Sequence, residues 1–218
     1  SFVYAAGEDT YGAVGMGRDD FVESEFTLLP THSVPGLKTQ LLDVAVGQWH
    51  VLLLTASGEV YASGTAMYGQ IGLGSAASVA TFTKINHGLD EPIAKIDAGR
   101  YHSSAISRSG VWYCWGDSAY RKNGHIADET VYAPRKVALT ETDVLEHVAC
   151  GVEYTLYINS AGSLFGLGYN DYSCLGLAGA YKWATVSPPV EVTSVTIGLP
   201  SMMAVGLNFT AVVTENGG

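Results

Sequence analysis

His50 and His102 stand 52 residues apart, each closing the string Gly-x-x-His, and they are the first candidates for proton transfer. An imidazole that titrates near neutrality can act as general acid or base. The same position further along holds Tyr154 and then Phe209. A phenyl ring moves no proton, so a buried structural histidine is the expectation. Gly64-x-x-x-x-Gly69 matches the opening of a phosphate-binding loop, but Gln70 and Ile71 follow where Lys and Ser/Thr are required. Asp19, Asp20, Glu23 and Glu25 form an acidic stretch without EF-hand spacing. It is expected to be a solvated loop, the alternative being an electrostatic contact with a basic partner. Tyr181, Lys182 and Trp183 combine aromatic rings with a cation, the composition of an interface hot spot, and also that of an ordinary outer strand. Asn208-Phe209-Thr210 is a glycosylation sequon placed where a strand should begin. Cys114, Cys150 and Cys174 form no Cys-x-x-Cys pair and are expected as buried thiols of a reducing, intracellular compartment. No H-E-x-x-H, G-x-S-x-G or dinucleotide-binding pattern occurs, and nothing assembles a nucleophile, a base and an oxyanion donor. The expectation from motifs is therefore no enzyme, no cofactor and no metal.

Composition narrows the class. The 218 residues are 47% hydrophobic and only 15% charged, against a usual charged share of about 25%. Disorder requires the opposite balance. The formal charge of −10 argues against a phosphate-gripping surface, so nucleic acid is not expected as a partner. No apolar run approaches the ~18 residues of a membrane span. The chain does not begin with Met, which suggests a fragment or a processed form.

Internal repetition sets the architecture. Segments starting at Gly47, Gly99 and Gly151 align without gaps, and Gly206 opens a fourth, the intervals being 52, 52 and 55. The glycines Gly58, Gly110 and Gly162 follow at the same intervals, with Gly217 a further match. A third set is Gly7, Gly64, Gly116 and Gly168; four residues after each stands a tyrosine, Tyr11, Tyr68, Tyr120 and Tyr172. Arg121 and Ser173 occupy the slot held elsewhere by Gly12 and Gly69. Between the glycines run short apolar and aromatic segments bounded by Gly-containing turns, four per unit. In the unit around Gly99 they are residues 95–98, 102–107, 111–115 and 132–139. Helical periodicity is absent. An all-β propeller of four-stranded antiparallel blades is expected. The expected division is a half blade plus connection over 1–45, units over 46–97, 98–149 and 150–204, and a half blade over 205–218. Repeats stack with a fixed small rotation, and an arc cut from a larger propeller is expected. A closed small ring and an oligomeric arrangement are the alternatives.

The string G-x-x-H, then T/S-x-x-G-x-V-Y-x-x-G, then Y-G-Q-I-G-L-G resembles the regulator of chromosome condensation repeat, best over residues 47–74 and nearly as well over 99–116. The resemblance covers essentially the whole chain. It implies a seven-bladed propeller and three functional classes. One is a non-catalytic interaction scaffold or structural subunit of a larger assembly, the preferred reading. The second is a guanine-nucleotide exchange factor, as in the founding member, which acts on the small GTPase Ran. The third is ultraviolet-B sensing, known in one plant branch, which implies Trp directly after the motif glycine. Gln48, Arg100, Val152 and Leu207 stand there instead, and only four Trp are present. Protein partners are expected, a small GTPase or a multi-subunit complex among them.

Overall fold

The computed structural model describes residues 3–17, 22–29, 40–125, 129–140, 143–177, 179–181, 183–192 and 198–215. The described residues contain sixteen strands. β1 (Tyr4–Glu8) pairs with β2 (Val22–Leu28) in a two-stranded sheet. β3 (Leu41–Val46), β4 (His50–Thr55), β5 (Val60–Gly64) and β6 (Val79–Lys84) form a four-stranded sheet in chain order. β7 (Ile93–Ala98), β8 (His102–Ser107), β9 (Trp112–Gly116) and β10 (Val131–Lys136) repeat it. So do β11 (Leu145–Cys150), β12 (Tyr154–Asn159), β13 (Leu164–Tyr169) and β14 (Thr185–Glu191). β15 (Pro200–Val205) and β16 (Thr210–Thr214) make a final two-stranded sheet. All pairings are antiparallel meanders, the construction of propeller blades. β1–β2 and β15–β16 remain separate sheets, so the described residues form an open arc. Each four-stranded sheet starts one strand before its Gly-x-x-His or Gly-x-x-Tyr string, because the strand leading to that glycine pairs with the strand that follows it.

The cores lie between consecutive sheets. Leu52, Leu54 and Ile71 of one blade pack with Ile93, Ala105 and Trp115 of the next. Ile106, Trp112 and Val137 pack with Leu145 and Tyr157 in the following interface. Second strands are apolar or small on both faces because both faces are covered; β8 and β12 are buried along their whole length. Two glycine slots permit this spacing. At Gly64, Gly116 and Gly168 φ is +113°, +101° and +103°, and a Cβ would lie 2.2–2.5 Å from the carbonyl oxygens of Trp49, Tyr101 and Glu153. At Gly47, Gly99, Gly151 and Gly206 a Cβ would strike the ring of His50, His102, Tyr154 or Phe209. These glycines are close-approach positions, not phosphate-cradling ones.

The acidic stretch departs from the expected solvated loop. Glu23 and Glu25 lie on β2, Glu23 opposite Gly7, because Val22–Leu28 supplies the ladder partner that β1 needs. Asp19 and Asp20 lie outside the described residues, as do Lys182 and Gly217.

Candidate functional site on the turn face

In an antiparallel meander, the turn joining first and second strands and the loop joining third and fourth strands emerge on one face. Here that face carries the turns after Gly47, Gly99, Gly151 and Gly206 and the loops after Gly7, Gly64, Gly116 and Gly168. The hairpins at Gly58, Gly110 and Gly162 lie on the opposite face.

His50 and His102 sit just below the turn face and are fully buried. His50 Nε2 lies 2.8 Å from Ser103 Oγ of the next blade, and Ser103 donates its one proton to the Gln70 carbonyl at 2.8 Å. The imidazole is therefore the Nε2–H donor. His102 and Thr155 repeat this at 2.8 Å, with Thr155 donating to the Lys122 carbonyl at 2.7 Å. Tyr154 fills the third slot, its hydroxyl donating to backbone carbonyls around Phe209. Burial lowers His50 to about 3. Burial, then the Lys122 charge and His50, hold His102 well below its ordinary value. Both stay neutral and clamp blades. The partner of each is a hydroxyl 53 residues on.

Above the histidines, rings from successive blades meet. Tyr11 approaches Trp49 at 5.6 Å, Trp49 approaches Tyr101 at 5.5 Å, and Tyr68 approaches Tyr101 at 4.6 Å between centroids. Arg100 lies over the Tyr101 ring at 4.7 Å, donates to Gln48 Oε1 at 2.8 Å, and faces Glu153 at 3.8 Å. At the next blade boundary the same positions change chemistry. Glu153 replaces the aromatic of Trp49 and Tyr101, and Lys122 replaces Gln70. The Lys122 ammonium is fully buried between Glu153 and Asp117, the latter at 2.5 Å. A buried cation requires such pairing. Toward the propeller axis, a groove of about 470 Å³ is lined by Gly47, Gly99, Gly151 and Gly206, with Gln48 and Arg100 beside it. Asp97 accepts from the Cys150 N–H at 2.5 Å, and burial raises its carboxyl pKa.

Of the residues expected to meet a partner, Tyr181 and Trp183 are exposed on the loop after Gly168, and Trp183 packs edge-on to Tyr172 at 5.5 Å. Glu25 is exposed on β2, away from them in the fold. Trp49, Tyr101, Arg100, Glu153 and Lys122 were not singled out from the sequence. Their signal was available: they are the positions at which aligned repeats differ in charge while the flanking glycines stay the same. Cys114, Cys150 and Cys174 are buried free thiols. No group of metal-ligating side chains occurs among the described residues, and no described helix is long and apolar enough to cross a membrane.

Four-stranded blades in an open arc, clamped by a recurring side-chain relay, define a β-propeller repeat protein. Residues 57–106 match the regulator of chromosome condensation (RCC1) repeat, and the chain belongs to that repeat family. It is 31% identical over 175 residues to the ultraviolet-B receptor UVR8 of Arabidopsis thaliana, a match covering 80% of this chain and 38% of the relative. Its fold matches human WBSCR16 with TM-score 0.82 and 21% identity, over 98% of this chain and 55% of that one. It also matches Prp20p of Saccharomyces cerevisiae with TM-score 0.78 and 19% identity, over 99% of this chain and 52% of that one. The Prp20p structure was described with its binding properties to Gsp1p and histones, and Prp20, the yeast RCC1, has also been solved bound to Kap60. The chain spans well under two thirds of the length of each.

This likeness corrects the expectation of a non-enzyme. The yeast RCC1, described with its binding to Gsp1p, carries the same fold, and nucleotide exchange is the catalytic role that the family resemblance implies. An exchange factor works by binding a GTPase and stabilising its nucleotide-free state, so it needs no nucleophile or base. Such a protein carries no acid–base or covalent-catalysis motif. The coarse assignment, an RCC1-repeat protein-interaction module, stands.

Proposed function

We propose that this chain is part of a guanine-nucleotide exchange factor for a small GTPase, in place of a purely structural scaffold. One observation carries the reading: the fold likeness to Prp20p, whose structure was described with its binding to Gsp1p, extends over 99% of this chain. The turn face supports it chemically. Arg100, Glu153 and Gln48 are tied together beside the axial groove, and polar groups held in advance cost less to order on binding. Tyr and Arg beside Trp49 match the residues that dominate protein interfaces. A nuclear, importin-carried location is in keeping with the Kap60 complex of yeast RCC1. The ultraviolet-sensing alternative lacks support, since Gln48, Arg100, Val152 and Leu207 occupy the positions that would carry its tryptophans.

The test is release of a fluorescent guanine nucleotide from a panel of small GTPases under catalytic amounts of the protein. Acceleration of about a hundredfold, on the order of 2.7 kcal/mol off the barrier, is expected for the cognate GTPase.

A further inference from the structure

The loop after Gly168 holds two aromatic rings that no blade buries. Tyr172 is 63% exposed and Trp183 is 54% exposed. Their centroids are 5.5 Å apart and their planes meet at 62°, so they form two walls of an open corner. Both stand on left-handed backbone, with φ of 55° and 60°, a costly conformation for an aromatic residue. Fully buried Asn170 holds the loop in place. Its Nδ2 donates to the carbonyls of Leu177 and Tyr181, both at 2.9 Å, and its Oδ1 accepts from the Leu175 N–H at 2.9 Å. The rings are thus presented outward in advance of any contact.

The residue preceding Tyr172 is acidic. Asp171 adjoins the corner and accepts from the Tyr172 N–H at 2.9 Å, and the whole chain carries a formal charge of −10. Ring faces attract cations through their quadrupole, and a carboxylate beside them adds to the attraction. The same face already shows this chemistry, with the Arg100 guanidinium 4.7 Å above Tyr101. We propose that the Tyr172–Trp183 corner, with Asp171, is a seat for a lysine or arginine side chain, methylated lysine included, on a basic segment of a protein partner. A neutral apolar side chain would gain contact area there but neither the quadrupole nor the carboxylate attraction. Nucleotide exchange is not required for this site, so the two proposals stand or fall separately.

The test uses the whole chain and a short Gly/Ser peptide carrying a central trimethyl-lysine between two lysines. A second peptide replaces the trimethylammonium group by its neutral tert-butyl isostere. Calorimetry should show the cationic peptide binding at least about tenfold more tightly than the isostere. Trp183→Ala and Tyr172→Ala should each lose about tenfold, Trp183→Phe should retain most of the affinity, and Asp171→Asn should flatten the salt dependence. Both rings are exposed, and an unchanged circular dichroism spectrum will report an intact fold. Equal affinity for the two peptides, unaltered binding by a folded Trp183→Ala variant, or no binding at millimolar peptide would each overturn the proposal.

Discussion

His50 Nε2 and Ser103 Oγ, 53 residues apart in sequence, are 2.8 Å apart across the boundary between two blades. Ser103 passes its own proton to the Gln70 carbonyl, so one imidazole, one hydroxyl and one backbone carbonyl tie three segments together. The relay recurs from His102 through Thr155 to Lys122. Removing the ring leaves a buried cavity and one hydroxyl acceptor without its donor. His50→Ala should cost about 2–4 kcal/mol in urea unfolding, with little change in the slope against denaturant.

The buried imidazoles also set a pH dependence. The unfolded chain protonates each histidine near pH 6.5, whereas folded His50 resists down to about 3. Between those values the unfolded state binds more protons, so stability is complete above pH 6.5 and is lost as pH falls toward 3. One such group contributes a slope of about 1.4 kcal/mol per pH unit. His50→Gln should lower the proton uptake on unfolding at pH 5 by about one proton, measured as the difference in slope from the wild type.

Gly64 and Gly74 separate two reasons for a glycine. Both have positive φ, but a Cβ at Gly64 would lie 2.2 Å from the Trp49 oxygen, while one at Gly74 meets nothing within 4 Å. Gly74→Ala should cost about 1–2 kcal/mol, the strain alone. Gly64→Ala should cost on the order of 4 kcal/mol or prevent folding, because backbone must move. Thermal unfolding of the two variants side by side distinguishes them.

Ser173 stands with φ of 61° in the slot where Gly12 has 69° and Gly69 has 74°. Relief of left-handed strain outweighs the added freedom of the unfolded chain at such a site. Ser173→Gly should stabilise by roughly 0.5 kcal/mol, while Ser173→Ala, which keeps the Cβ, should not.

These cases mark what was legible from the amino-acid string. Repeated glycines and hairpin turns betrayed the blades because backbone geometry admits few residues at each slot. Side-chain pairs across blades were hidden, since Tyr68 meets Tyr101 only after blade stacking brings them to 4.6 Å. Nothing local in the sequence marks Lys122 as buried, although the exchange of Tyr101 for Glu153 at the same offset was a readable hint of its partner. Glu23 and Glu25 were misread because a strand pairing only with β1 shows little apolar pattern of its own. The exchange reading was underweighted because catalysis by binding leaves no motif.

The buried thiols supply a chemical check on the packing. Burial pushes Cys114 up to about 12 and Cys174 up to about 11, and raises Cys150 well above its ordinary value. Thiolate is the reactive form. An aromatic disulfide reagent at pH 8 should therefore label none of the three in the native chain within minutes, and all three after denaturation.

Nucleotide exchange by this chain is read out by release of labelled nucleotide from the GTPase panel. Release should accelerate by about a hundredfold for one GTPase, with Arg100→Ala and Glu153→Gln each reducing that acceleration at least about tenfold while unfolding stays cooperative. Release rates unchanged across the panel, with protein in excess and its blades folded, would contradict it.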